Sequence, residues 1–404
     1  MRTPLVRAGA LVLACGLLAS ACGGDDSGGS SGSDKGDIKV AIITPSSGAL
    51  AIYGTAAAQA WDYAVKEVND AGGIDGRKVD LIKKDTDGSP DKTIAAAREA
   101  ATKDGAHFLG GIVTSSEYLA LDPQLQGLNA LALSTGKAAA LTGESCTKNF
   151  FRFVASDQME LNGVAASLDQ IPGDKFAILA VDETIGHSGA DIFKKAAEDA
   201  GKEIVYEGYP PRGTTEFGTY ITKIQDSGAD ALFTMEQGAD AVAFTNQAAQ
   251  FKLLDQFQSV LGIDVVTPPL FDALGDNVVG NFTNLAYDVK LDDPVNQKFV
   301  EGMTKLSGGT PFFVQASNYT AATMLFAAIK AAGSSDTDKV RDALEGLKLD
   351  TPYGQAEMRA EDHQILVPVN VAKVVKDSSG EGYEVVASTD ASTTTPEPDP
   401  ACKM

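Results

Sequence analysis

Short β-rich runs alternate with helical stretches along this chain, and that alternation constrains its fold more than any other feature. Residues 38–44, 79–84, 108–113 and 130–134 read as strands, and 176–181, 204–209, 231–235 and 260–263 repeat the rhythm. Between the first two, Ala57, Trp61, Ala64, Val65 and Val68 share one helical face, and Gly72-Gly73 ends that helix. Ser89-Pro90 reads as an N-cap followed by Pro at the first helical position, with Gly105 as the stop. Strands alternating with helices imply parallel sheets covered on both faces, hence an α/β fold. The join 103–109 echoes 226–232, each a helix ending on Gly before an apolar strand, which is consistent with two similar lobes.

Open parallel sheets bind ligands beyond the carboxyl ends of their strands. The residues standing there are 44–48, 114–116 and 134–137 in the first half. In the second half they are Asp182, Glu183, Glu236, Gln237 and Asp264. Hydroxyls at a helix start, with unpaired backbone N–H groups, suit a carboxylate. The same hydroxyls also serve as plain N-caps.

Enzyme signatures are mostly missing. No G-x-G-x-x-G opens a helix after a strand, and no G-x-x-x-x-G-K-[ST] occurs. The three His, at 107, 187 and 363, have no i, i+4 partner, so neither a metal nor any other cofactor is expected. The turn from Asp85 to Gly88 lacks the remaining acids of a calcium loop. Gly186-His187-Ser188-Gly189 is one residue short of a nucleophile elbow and reads as a loop entering a helix. Ser134-Thr135-Gly136-Lys137 matches S-x-x-K, so a serine acyl-enzyme using Ser134 and Lys137 is an alternative, although its companion motifs are absent.

The first residues read as an address. Arg2 and Arg7 precede an apolar run over 8–21, which at about 1.5 Å per residue reaches roughly 21 Å, too short to span a bilayer core of about 30 Å. Residues 1–21 therefore read as a signal peptide. Residues 23–36 are rich in Gly, Ser and Asp and read as a flexible tether. Cys146 and Cys402 stand apart from the leader, and in an oxidising compartment they read as a disulfide pinning the tail, with two free thiols as the alternative. A net charge of −22 excludes the cationic footprint that nucleic acid needs.

Two stretches carry a specific resemblance, Ile42-Ile43-Thr44-Pro45 running to Tyr53-Gly54, and Val68-Asn69-Asp70-Ala71-Gly72-Gly73-Ile74-Asp75-Gly76-Arg77. A third, looser one joins Glu216-Phe217, Ile221 and Ile224 to Gly228-Ala229-Asp230. Together they resemble the leucine/isoleucine/valine-type solute-binding proteins that serve ABC importers. Leu18-Ala19-Ser20-Ala21-Cys22 resembles the bacterial lipobox, which implies a lipid on Cys22 and a body held at the outer face of a cell membrane.

The resemblance implies a type I periplasmic-binding-protein fold of two lobes joined by a three-segment hinge. The chain would cross near Ala155, Tyr287 and Pro352. One lobe would hold 37–155 and 288–351, the other 156–287 and 352–387, leaving 388–404 as a tail. A monomer would close on a small solute and dock on a permease whose separate subunits hydrolyse ATP. Relatives of this fold also act as sensors.

Site residues carry over unevenly. Tyr53 matches the Tyr-Gly loop, Thr114 with Ser115 matches the Ser that holds the ligand carboxylate, and Thr135 or Lys137 falls on the next loop. Ile185 and Gln237 replace aromatic walls, and the acid that takes a ligand ammonium falls near Asp264. Lys137 would meet a second ligand carboxylate or pair with Glu236. A branched-chain amino acid is the leading solute, with amides, urea-like solutes and aromatic acids as alternatives. Losing Thr114 or Asp264 should weaken binding about tenfold.

Overall fold

The computed structural model describes residues 36–377 and 380–404. The signal peptide, Cys22 and the tether up to residue 35 lie outside the described residues. Strand β1 (Ile38–Thr44) leads to helix α1 (Ala51–Asp70), β2 (Val79–Asp85) and α2 (Pro90–Glu99). Then come β3 (Phe108–Ile112), α3 (Ser115–Leu128), β4 (Leu131–Ser134) and β5 (Phe150–Arg152). These five strands form one parallel sheet in the order β2-β1-β3-β4-β5.

Helix α4 (Asp157–Ala165) opens the next series, followed by β6 (Lys175–Ala180), α5 (Thr184–Asp199), β7 (Glu203–Gly208) and α6 (Gly218–Asp226). It continues through β8 (Ala231–Met235), α7 (Gly238–Gln250), β9 (Ser259–Gly262), the short α8 (Phe271–Leu274) and β10 (Phe282–Leu285). Helices α9 (Pro294–Ser307), α10 (Phe313–Ala332) and α11 (Thr337–Leu344) come next, α9 and α10 packing on α1. A small antiparallel sheet joins β11 (Lys348–Thr351), β12 (Gly354–Met358) and β13 (Ile365–Leu366). Strands β14 (Val369–Asp377) and β15 (Gly380–Thr389) complete the second sheet, β15-β14-β10-β9-β8-β6-β7, before α12 (Ala391–Thr394).

The expectation of parallel sheets needs one amendment. Strand β14 runs antiparallel to β10, and β15 antiparallel to β14. Consecutive strands can pair that way without a crossover helix, and none separates these two. Tyr353, Ala356, Met358 and Ile365 pack into the core shared with Trp61 of α1 and Leu325 of α10. The last passage between the sheets therefore runs from β13 to β14, later in the chain than the crossing expected near Pro352.

Local chemistry explains the joins. Ser89 accepts a hydrogen bond from the Lys92 N–H with Pro90 behind it, and Gly105 ends the helical run at φ +71°. Glycine is required where α1 meets the loop after β1, because a Cβ on Gly54 would lie 1.6 Å from the Pro45 carbonyl oxygen. The second sheet uses the same device, since a Cβ on Gly186 of α5 would lie 1.9 Å from the Val181 oxygen. Gly186 and its neighbours thus belong to the helix itself and not to a loop before it. Trp61 is buried under β3, its indole N–H donating to Asn318 of α10 at 3.0 Å.

Cys146 and Cys402 form a disulfide with their Cα atoms 5.3 Å apart. The tail that leads to it is held on the way. Asn162 of α4 donates to the Thr394 carbonyl at 2.7 Å, and Arg359 donates to that of Pro396 at 2.7 Å.

Candidate functional site

Residues following the carboxyl ends of seven strands line a single cavity of about 30 Å³. Leu50 and Tyr53 come from β1, Thr114 and Ser115 from β3, and Thr135 and Lys137 from β4. The second sheet supplies Glu183 and Ile185 after β6, Arg212 after β7, Gln237 after β8 and Asp264 after β9. Phe313 and Val314, at the start of α10, complete the wall.

Lys137 bridges the two sides. Its ammonium donates to both oxygens of Asp264, at 2.8 and 2.7 Å, and to Glu160 of α4 at 2.7 Å. It also lies 4.1 Å from the centre of the Phe313 ring, a cation–π contact. Burial works to lower the lysine's pKa, but the carboxylates of Asp264 and Glu160 outweigh it and hold the value raised. Burial pushes Glu160 up to about 8, against the pull of Lys137 and with the push of Asp264. The knot thus joins one buried ammonium to two buried carboxyl groups.

Asp264 is held from every side. It sits in the left-handed region at φ +59°, which Asp tolerates better than most residues. Asn284, in β10, accepts from the Asp264 N–H at 2.9 Å and donates to its Oδ1 at 3.0 Å. Gln237 donates to Oδ2 at 3.4 Å. Tyr53 donates to the Asp264 carbonyl at 3.3 Å and accepts from the Gly238 N–H at 3.3 Å, tying α1 to the start of α7. The Ala239 N–H reaches the Ala49 carbonyl at 3.3 Å.

Several sequence-based roles change. The Thr114 hydroxyl accepts from the Glu117 N–H at 3.1 Å, while the Glu117 carboxylate takes the Thr114 N–H at 3.2 Å and its hydroxyl at 3.0 Å. That is a capping box, so Thr114 lines the cavity with its hydroxyl already spent. The Ser115 oxygen accepts the Ala138 N–H at 3.0 Å and keeps its own hydrogen. Thr135 reaches back to the Ile112 carbonyl at 3.4 Å.

Glu236 does not line the cavity. It is buried with one oxygen lacking a hydrogen-bond partner, and burial lifts its pKa to about 8 despite the nearby Arg212. It is not the partner of Lys137, which turns toward Glu160 and Asp264. Ser134 is no nucleophile for Lys137 either. Its hydroxyl donates to the Ile112 carbonyl at 3.1 Å and accepts the Gly136 N–H at 3.0 Å. The loop from Asp85 to Gly88 is a turn, in which the Asp85 carboxylate caps the N–H groups of Ser46 and Asp87.

Four contributors escaped the sequence reading. Arg212 donates to Glu183 at 2.8 and 3.3 Å and to Gln237 at 3.2 Å, and its Nη1 has no hydrogen-bond partner, with Asp240 at 3.8 Å. Applying the post-strand rule to β7 would have found it. Glu160, Asn284 and Phe313 follow no such rule. Tyr53 and Phe313 supply the aromatic wall that Ile185 and Gln237 do not. A second cavity of about 680 Å³, lined by Ile52, Pro268, Phe271, Tyr287 and Tyr383 among others, shares Asp264 and Phe313 with the first. Among the described residues no cluster of three or more His, Cys, Asp and Glu is arranged to hold a metal ion, and no helix is long and apolar enough to cross a membrane.

Comparison with known proteins gives this geometry a setting. A family model described as periplasmic binding protein matches residues 37–381. A Leu/Ile/Val-binding protein homolog of Brucella abortus is 29% identical over 318 residues, covering 78% of this chain and 84% of the relative. An ABC-transporter solute-binding protein of Rhodopseudomonas palustris, solved with 3,4-dihydroxybenzoic acid, is 25% identical at TM-score 0.81, over 88% of this chain and 98% of that one. The fold alone is shared with a leucine-, isoleucine-, valine-, threonine- and alanine-binding protein of Brucella ovis, 21% identical at TM-score 0.80 over 91% of this chain and 99% of that one.

Proposed function

The chain belongs to the periplasmic binding protein family, and we propose that it captures a small carboxylate solute between its two sheets and delivers it to an ABC permease. An extracytoplasmic location, a small-molecule solute and a permease partner go with that family. Our reading adds a single chain, lipid on Cys22 as its membrane contact, and ATP hydrolysis by separate subunits. It divides the body into two lobes, one around each sheet, that hinge about the passages between them.

One observation carries the reading. Loops from both sheets meet at one cavity, and its 30 Å³ holds a water or two and no organic solute. An organic solute can therefore enter this cavity only if its two sides move apart. Opening and closing about the hinge are then intrinsic to binding. The relatives carry two solute chemistries in their names, small amino acids such as leucine, valine, threonine and alanine, and a hydroxylated benzoic acid, and both contain a carboxylate. Helix starts facing the cavity supply N–H groups for such a group.

The test is a thermal-shift panel followed by calorimetry. A solute at about 100 times its Kd should add about 2.7 kcal/mol of stability. One solute per chain, with no product formed, is the expected result. Turnover of the bound compound, or binding that survives loss of the cleft residues, would overturn the reading.

A further inference from the structure

We propose that the cleft takes a carboxylic acid without an amino group, because Lys137 already provides the cation that Asp264 needs. The proposal rests on the solute-binding reading and narrows its substrate class.

The argument is a count of donors and acceptors. An ammonium has three N–H bonds and a carboxylate about four lone-pair sites. Lys137 spends two N–H bonds on Asp264 and the third on Glu160, and its remaining approach is covered by the Phe313 ring. Asp264 receives Lys137 twice, Asn284 once and Gln237 once. Both groups are saturated, and both are at least 95% buried. A ligand ammonium could reach Asp264 only by dislodging Lys137, which would leave two cations side by side out of water.

On the residues that line the cavity what remains unspent is chiefly donor, Glu160 and Glu236, each with one unpartnered oxygen, not being among them. Arg212 Nη1 makes no hydrogen bond, with the Asp240 carboxylate at 3.8 Å. The Ser115 hydroxyl accepts a bond but donates none. Helix α5 starts with no side-chain cap on its first N–H groups. These groups suit an anion. The rest of the wall, Leu50, Val113, Ile185 and Val314, is apolar. The occupant that fits is a monocarboxylate with an apolar or aromatic body.

The test pairs each amino acid with its amine-free twin: leucine with 4-methylpentanoate, phenylalanine with 3-phenylpropanoate, and benzoate beside them. Calorimetry on the full wild-type chain should find an acid bound at least tenfold more tightly than its amino partner. In Lys137→Met the preference should move at least tenfold toward the amino acid, since Asp264 then lacks a cation. The wild-type comparison stands even if that variant does not fold. An amino acid bound more tightly than its twin by the wild type would overturn this proposal and leave solute binding intact. Absence of binding by every acid and amino acid in the set would overturn both.

Discussion

Helices α3 and α5 begin alike, each following a strand and each facing the cavity, yet they finish their first turns differently. α3 closes its own start with the Thr114–Glu117 box, and buried Glu117 is held further by Thr86 and Thr93 at 2.7 and 2.8 Å. Before α5 stands Glu183, whose side chain caps nothing and pairs with Arg212 instead. α7 also lacks a side-chain cap, and its first N–H groups reach Tyr53 and Ala49 on the other side of the cleft. The difference separates two uses of similar sequence. The hydroxyls of Thr114, Ser134 and Thr135, after the first sheet's strands, hold the frame together, while the start of α5 on the second sheet keeps its donors for whatever enters.

The sharpest test of that contrast is the bridge across it. Lys137→Ala strips a buried partner from Asp264 and should destabilise the chain by about 3–5 kcal/mol in urea unfolding. A loss below about 1 kcal/mol would mean that the pair is solvated in solution and the cleft rests open.

Next comes pH. Glu160 and Glu236 have pKa values of about 8 when folded, above the unfolded range of about 4.3. The folded state therefore binds more protons between these limits, so stability is greatest below about pH 4.3, as far as these groups are concerned, and falls as pH rises toward 8. Stability should fall steadily across that range, and Glu160→Gln should remove about half of the slope, leaving the share of Glu236. An unchanged slope in that variant would remove Glu160 from the account.

Arg212→Gln probes the second sheet's side and should cost about tenfold in affinity, or 1.4 kcal/mol. Equal affinities by calorimetry would return Arg212 to a purely structural part. Thr114→Ala probes the first sheet's side. It should cost about 1 kcal/mol of stability, the ordinary worth of a cap, and leave affinity within about threefold. A large loss of affinity with unchanged stability would restore the ligand-binding role that the resemblance implied.

Much of this was legible in the chain. The run from β1 to α2 could be read because its signals are local, namely strand propensity, the Ser89 cap and glycine stops. Eight positions read as site residues do line the cavity, since a post-strand loop opens at a known end of the sheet. Glu236 failed because adjacent residues after β8 face opposite ways, and Gln237 took the cavity side. The partners of Lys137 were not readable. Glu160 lies 23 positions away and Asp264 lies 127 away, and only the assembled fold joins them. Strands β14 and β15 were missed because the alternating rhythm ends before them.

The tail's disulfide has a topological consequence. It joins residues 256 positions apart, so everything from Cys146 to Cys402 lies inside one covalent ring that includes the whole second sheet. A protease that cuts once anywhere within that ring releases nothing. The nicked molecule keeps its mass on a non-reducing gel and separates into two fragments only after reduction. For a protein exposed outside the cytoplasm, most of the chain thus tolerates a first cut without losing a piece.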